Sequence, residues 1–261
     1  GDKLKSNQVD WWGIVFLTSF IGSLQYVLEH GQQDDWFNDK GILTLTCISF
    51  IGLLLFIWRE NTYKHPIVNL GVLKDGNLRI GILMSFILGF GLYGSTLIIP
   101  IYTQAILGWT ATDAGLLLIP GSITTALMMP FIGKMIQRGV PQGYMVALGF
   151  LVFFFFTFIM RNKMTPDTGT EHFYWALILR GVGLGLLFVP ITTLSLSTLK
   201  GKQIGEGAAF TGMLRQLGGS FGIAIITTFI TRFGQQHRVG LLTHYDASRA
   251  EIQQRIVQLQ Q

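Results

Sequence analysis

The stretch Leu177-Ile178-Leu179-Arg180-Gly181-Val182-Gly183-Leu184-Gly185-Leu186-Leu187-Phe188-Val189-Pro190 carries one charge among apolar and small residues. It lies inside a longer apolar block, Phe173–Leu199. A helix needs about 20 such residues to cross a hydrocarbon layer of about 30 Å. Lipid cannot satisfy exposed backbone N–H and C=O groups, so a segment of this kind is forced into helix as much as it favours it. Gly181-x-Gly183-x-Gly185 superficially suits a nucleotide-binding loop, but no strand precedes it and its third glycine is misplaced.

Working outward, six more blocks of comparable length appear. They are Trp11–Leu28, Gly41–Trp58, Ile80–Tyr102, Ala114–Ile136, Tyr144–Met160 and Ala208–Thr231. The run Phe153–Phe156 would suit a strand in water; within a span it reads as the lipid-facing side of a helix. Charged residues make up 13% of the chain, about half of what a soluble domain uses to cover its surface. The fold class is therefore an all-α integral membrane protein with about seven spans, in contact with a lipid bilayer. The 32 glycines agree, since small residues let membrane helices approach closely.

Several functions are excluded on the same ground. The net charge of +5 is spread singly or in pairs between the blocks, without the basic stripe a nucleic-acid surface needs. The single cysteine, Cys47, lies within a span, so no disulfide or cysteine metal site is available. His30, His65, His172, His237 and His244 show no i, i+3 or i, i+4 pairing, and no metal site is expected. There is no Ser/His/Asp set within one span and no phosphate-binding loop, so neither an enzyme nor a bound cofactor is expected. Residue 1 is Gly, and no signal peptide precedes the first block; the chain reads as a piece of a longer protein.

Loop charge sets the orientation. Lys3, Lys5, Arg59, Lys64, Lys74, Arg79, Lys134, Arg138, Lys200 and Lys202 fall on one side. The other side holds Lys40, Arg161 and Lys163, with Arg232, Arg238, Arg249 and Arg255 in the tail. The first side is cytoplasmic by the positive-inside rule. The acidic loop Gln32-Gln33-Asp34-Asp35-Trp36 then lies outside, with its tryptophan at interface depth. The polar tail, Phe233–Gln261, is expected outside as well, with Ala247–Gln260 as either an amphipathic helix or a disordered end.

Arg180 and Arg215 are the charges within apolar sequence. A guanidinium at mid-bilayer costs about 2.5–3.5 kcal/mol on insertion scales, so it must meet a partner or a water-filled cavity. Each arginine therefore marks a transport path or, on the plainer alternative, fixes helix packing. Arg215, followed by Gln216, is the one expected to face a cavity; Arg180 lies closer to the outer end of its span, within snorkelling reach. Glu29 sits at the outer end of the first span with Gln25 one turn below, and the pair can line a polar groove. Asp113 completes Thr110-x-x-Asp113, a capping pattern, with proton binding as the alternative. Glu206 suits the positive end of the last helix. None of these acids is a compelling mid-membrane proton carrier, which places any coupling acid elsewhere in the protein.

Gly94 and Pro100 mark the third span, Pro120 and Pro130 the fourth, and Gly181, Gly183 and Pro190 the sixth; Gly218 and Gly219 mark the seventh. Glycine allows backbones to touch and proline frees carbonyls. Both suit helices that rock against each other, and both equally suit rigid close packing.

Asp10-Trp11-Trp12-Gly13, with Leu24-Gln25-Tyr26-Val27-Leu28-Glu29-His30-Gly31 and Asp35-Trp36-Phe37, resembles the first of two helices inserted between the halves of certain major facilitator superfamily exporters. These are the fourteen-span drug/proton antiporters of the EmrB/QacA type. Tyr93-Gly94 with Ile99-Pro100-Ile101-Tyr102-Thr103-Gln104 is similar to that family's ninth span, and Ala114-Gly115-Leu116-Leu117-Leu118-Ile119-Pro120-Gly121 to its tenth. Arg180-Gly181-x-Gly183 with Pro190 resembles the twelfth, and Arg215-Gln216-Leu217-Gly218-Gly219-Ser220 the thirteenth. The resemblance covers nearly the whole chain and implies spans seven to thirteen. It implies two linker helices and a cytoplasmic loop over 1–79, a C-terminal transporter bundle over 80–231, and an external or periplasmic loop over 232–261.

The resemblance further implies an inner (plasma) membrane exporter that exchanges protons for small amphipathic or cationic compounds by alternating access, bound near the midplane between two halves. The N-terminal half would be supplied by the remainder of the protein. Arg215, Gln216 and Tyr93 would line the site, with Arg180, Gln25 and Gln104 as further cavity candidates and Glu29 and Asp113 as proton-coupling candidates. A periplasmic adaptor and an outer-membrane channel are possible partners of such a protein. An exporter of one metabolite, such as a siderophore or lipid precursor, is the alternative from the same architecture; a non-transporting sensor or membrane enzyme is the alternative from another class.

Overall fold

Asp10, Asp39, Asp75 and Thr110 each stand just ahead of an apolar run, and each side chain caps a helix. Asp10 accepts from the Gly13 N–H at 3.1 Å, Asp39 from Gly41 and Ile42 at 2.7 and 3.0 Å, and Asp75 from Leu78 at 2.8 Å. Thr110 accepts from Asp113 at 3.2 Å. Each cap satisfies amides that have no partner within the helix. The helices they open are α1 (Trp11–His30), α2 (Lys40–Thr62), α3 (Gly76–Ala105) and α4 (Ala111–Leu117). They are followed by α5 (Ile119–Gln137), α6 (Gln142–Lys163), α7 (Thr170–Leu196) and α8 (Lys202–His244).

This computed structural model describes residues 10–63, 70–164 and 170–244. The tail helix expected over Ala247–Gln260 lies outside them, as do Lys3, Lys5 and Lys64. Among the described residues, seven segments are long and apolar enough to cross a membrane, with α4 and α5 counted together as one 27-residue span. The break between those two falls at Leu118, and Pro120 occupies the first turn of α5. A missing N–H costs nothing there. Pro120 therefore starts a helix, whereas Pro100, Pro130 and Pro190 lie inside α3, α5 and α7.

α7 is the hub. In its membrane window 56% of residues are buried, against 17–33% in the other six spans. α3, α5 and α6 pack around it. Around the N-terminal part of α7, Ile99, Leu117, Phe156, Phe173 and Leu177 form one core cluster; around its C-terminal half, Ile132, Met145 and Leu186 form another. The phenylalanine run divides rather than facing lipid throughout. Phe154 and Phe155 are exposed, while Phe156 is 2% exposed and Phe153 packs on the core. Successive residues on a helix turn by about 100°, so four in a row must span both faces.

Two helix contacts are made by backbone. A Cβ on Gly121 would stand 2.8 Å from the Leu177 carbonyl oxygen, and one on Gly181 would collide with the Gly121 carbonyl, so α5 and α7 meet at bare glycine. On the other side, a Cβ on Gly89 would strike the Arg215 carbonyl and one on Gly218 the Phe86 carbonyl, which seats α8 on α3.

The α1–α2 hairpin is held differently. Ser49 Oγ on α2 donates to the Phe20 carbonyl at 3.0 Å, and Asp10 is buried against Arg59, whose Nε donates to both carboxylate oxygens at 3.1 Å. The chain divides into two compact units, Gly1–Ala224 and Ile225–Gln261. In the second, Phe229 and Phe233 stack at 5.7 Å.

Two predictions arise here. Gly218→Leu forces a side chain into the α3 backbone, an overpacking that costs about 1–3 kcal/mol where the neighbour cannot yield. Loss of the monodisperse peak or a lower melting temperature in detergent is expected, and unchanged melting would contradict the α3–α8 contact. The second prediction concerns Asp10. Burial pulls its carboxyl upward, but the Arg59 guanidinium and the Gly13 N–H outweigh this and hold it below the usual value. A carboxyl depressed in the folded state adds stability above its unfolded pKa of about 3.9. That contribution is lost as pH falls through the depressed value. The melting temperature of the unaltered protein is therefore expected to drop more steeply on acidification than that of Asp10→Asn.

Candidate functional site

The polar centre of the bundle begins with a hydroxyl pair on α3. Ser95 Oγ and Thr96 Oγ1 both donate to the Leu92 carbonyl, at 3.0 and 2.7 Å. Their protons are thereby committed, and their oxygens are left as acceptors. Arg180 on α7 uses both. Its Nε donates to Ser95 Oγ at 2.9 Å, and its Nη2 donates to Thr96 Oγ1 and, at 3.2 Å, to the Leu92 carbonyl. The residue is 4% exposed and stands near the middle of α7, so it is docked on α3 rather than snorkelling outward. Among the described residues the ion pairs are Asp10–Arg59 and Lys202–Glu206, and Arg180 is held without a carboxylate.

Beside this guanidinium lies a cavity of ≈ 250 Å³ between α3, α5 and α7. Arg180, Leu184 and Phe188 form its α7 wall, Leu92 and Thr96 its α3 wall, and Ser122, Thr125 and Met129 its α5 wall. The hydroxyls of α5 on this wall donate to backbone carbonyls. Ser122 donates to the Leu118 carbonyl at 3.0 Å, and Thr125 to the Gly121 and Gly181 carbonyls at 3.0 and 3.2 Å.

Arg215 stands on the neighbouring seam. Its guanidinium lies over the Phe188 ring, 4.3 Å from the centroid, a cation–π contact worth about 0.5–2 kcal/mol. Of the two arginines expected as cavity candidates, Arg180 lines this space and Arg215 stands beside it over Phe188. Tyr93 donates its hydroxyl to Gln216 Oε1 at 2.8 Å, with Gly219 against its ring. Gly94 is buried in α3, and a Cβ on Gly183 would stand 3.2 Å from the Phe153 nitrogen of α6.

A second polar group joins α1 to α8. Gln25 Nε2 donates to Glu29 Oε1 at 3.1 Å, and Ser220 Oγ donates to the same oxygen at 3.2 Å. His30, one residue on, stacks on Tyr26 with ring centroids 4.4 Å apart. Gln104 and Asp113 stand apart from both groups. Each is exposed, and Asp113 accepts from the Thr110 hydroxyl at 2.6 Å within the α4 cap. Glu206 sits one turn into α8 and pairs with Lys202 at 3.9 Å.

Sequence reading missed Ser95, Thr96, Thr125 and Phe188. Adjacent hydroxyls one turn ahead of Pro100 in an otherwise apolar span were the available signal for the first two. Phe188 is indistinguishable in sequence from the lipid-facing phenylalanines.

Comparison with known proteins accords with this architecture. The Major Facilitator Superfamily profile matches residues 41–223. The fatty acid resistance protein FarB of Neisseria gonorrhoeae is 32% identical over 97% of this chain and 49% of its own length. The multidrug export protein EmrB of Escherichia coli is 28% identical over 92% of this chain and 46% of its own length. The colistin resistance protein EmrB of Acinetobacter baumannii is 24% identical over 88% and 44%. The chain spans about half the length of the curated relatives it matches. With its seven membrane-length helices, it is a multi-pass protein of the inner membrane. Profile, relatives and helical architecture agree: the chain belongs to the major facilitator superfamily.

Proposed function

We propose that this chain forms one wall of a proton-coupled exporter of small amphipathic compounds that works by alternating access. The observation that carries the reading is the buried Arg180, docked on hydroxyls and a carbonyl beside a cavity between α3, α5 and α7. A charge in the apolar layer is retained where it serves a path for substrate or ions. Inward-facing chemistry for bond-making is lacking in that cavity, whose lining offers no nucleophile–base pair, so transport rather than catalysis is the reading. The relatives named for multidrug export and for fatty acid resistance support efflux as the direction.

In this reading residues 1–79 supply two linker helices, 80–231 supply the transporter bundle, and 232–261 belong to an external loop. The other half of the transport path comes from the remainder of the protein. Arg215, Gln216 and Tyr93 act at the α3–α8 seam, where their contacts can be exchanged as the bundle rocks. A periplasmic adaptor and outer-membrane channel would complete the route across a two-membrane envelope.

The test uses the complete transporter in everted membrane vesicles with an imposed inward-acid gradient, followed by a pH-sensitive dye. Collapse of the gradient on adding amphipathic compounds is the expected result; no response from folded protein across a broad panel would refute proton-coupled export. The 261-residue chain alone is expected to give no response in the same assay. Arg215→Ala in the complete transporter is expected to slow transport severalfold at an unchanged protein level. Normal transport by that variant would reduce Arg215 to a packing contact on Phe188.

A further inference from the structure

α8 lies against α3 on a face almost without side chains. A Cβ on Gly218 would strike the Phe86 carbonyl, one on Gly219 the Tyr93 ring, and one on Gly222 would stand 2.8 Å from the Phe90 carbonyl oxygen. Such a face sets how close two helices come. It does not fix how far one has slid along the other, because axial position is set by side-chain ridges seated in grooves. Phe221 adds a ring contact with Phe86 at 5.7 Å, but Phe221 is exposed, and lipid can take the place of such a contact. Along Gln216–Gly222, register therefore depends on two hydrogen bonds to neighbouring helices. Tyr93 of α3 donates to Gln216 Oε1 at 2.8 Å, and Ser220 donates across to Glu29 of α1 at 3.2 Å.

The second bond is both directed and releasable. Gln25, one turn back on α1, donates to the same Glu29 oxygen at 3.1 Å and so holds the carboxylate where Ser220 meets it. Ser220 is 1% exposed and has one proton to give. Besides Glu29, the Gln216 carbonyl of its own helix lies within its reach, at 3.4 Å. The carboxylate is the stronger acceptor of the two. When α1 withdraws, the proton falls back on Gln216 and no buried donor is stranded. We propose that Glu29 is a positioning residue for α8. Through Ser220, the α1–α2 hairpin holds α8 in the register where Gln216 meets Tyr93 and Arg215 covers Phe188. The two helices that precede the bundle thereby control a seam that they do not themselves line. This inference rests on the exporter reading only for the use of the motion; the tie itself stands on its geometry.

The experiment separates register from transport. The complete transporter, made free of native cysteines with Cys47 included, carries spin labels at Leu83→Cys on α3 and Ile204→Cys on α8, both exposed positions. The distance distribution between the labels is measured in nanodiscs. Ser220→Ala removes the donor of the tie, and Glu29→Ala removes its acceptor. Each is expected to widen the distribution about twofold, toward displacements of up to one helical turn, about 5.4 Å. The double variant is expected to match either single one, since both remove the same bond. Glu29→Gln keeps an acceptor oxygen for Ser220 and is expected to restore the narrow distribution. A second label pair, Leu127→Cys on α5 and Leu148→Cys on α6, reports general loosening and is expected to stay unchanged. Unchanged α3–α8 distances in Ser220→Ala, or equal widening at both label pairs, would overturn the proposal. So would additive effects in the double variant, or a Glu29→Gln distribution as wide as that of Glu29→Ala. If the α3–α8 distances respond and the vesicles show no proton exchange, the tie stands and the exporter reading falls. If proton exchange is seen and Ser220→Ala leaves the distances unchanged, the exporter reading stands and the tie falls.

Discussion

In a bilayer, apolar side chains gain little by leaving lipid for one another, so helices must be held by close backbone approach and by polar contacts. The bundle relies on both at α7. Gly121 and Gly181 bring α5 and α7 together at carbonyl distance, and the Arg180 side chain crosses to α3. Without them, α7 would rest largely on apolar contacts that lipid can replace. The high burial of this one helix follows, since α3, α5 and α6 all pack on it and it carries both the Arg180 and the Gly121–Gly181 contacts.

The same constraint explains why the site has the form it does. A guanidinium cannot remain unsatisfied in a low-dielectric layer, and no carboxylate pairs with this one among the described residues. Docking it on Ser95, Thr96 and Leu92 meets the geometric requirement and leaves the net charge standing. Arg215 is accommodated in another way, on the face of Phe188, where the ring quadrupole replaces part of its hydration. Two charges in one apolar bundle thus find two different solutions.

Much of this architecture was legible beforehand because span length and loop charge are imposed by the bilayer itself. The seven blocks, their order and the capping of α4 by Thr110 could be read from residue type and spacing. Pairings across helices could not. Nothing in sequence says that Arg180 meets Ser95 and not Glu29, because the three lie on spans far apart in the chain and each span offers several faces. The docking of Arg180 on α3 was hidden for that reason: distance from a span's end is local, whereas enclosure depends on neighbours. The phenylalanine run misled similarly, since hydrophobicity alone does not distinguish a ring against lipid from one against Met160.

Pro100 has a mechanical consequence. Its ring removes the amide that would have bonded to the carbonyl of Thr96, so the weakest link of α3 lies directly beyond the hydroxyl pair that seats Arg180. One turn further on, Thr103 Oγ1 donates to the Ile99 and Pro100 carbonyls and leaves that of Thr96 without a replacement for the missing amide. The joint is therefore placed outboard of the anchor. Bending there would swing the outer turn of α3, and with it the approach to α4, while the arginine kept its seat. A turn that moves beyond a fixed anchor leaves the docking of α7 on α3 intact.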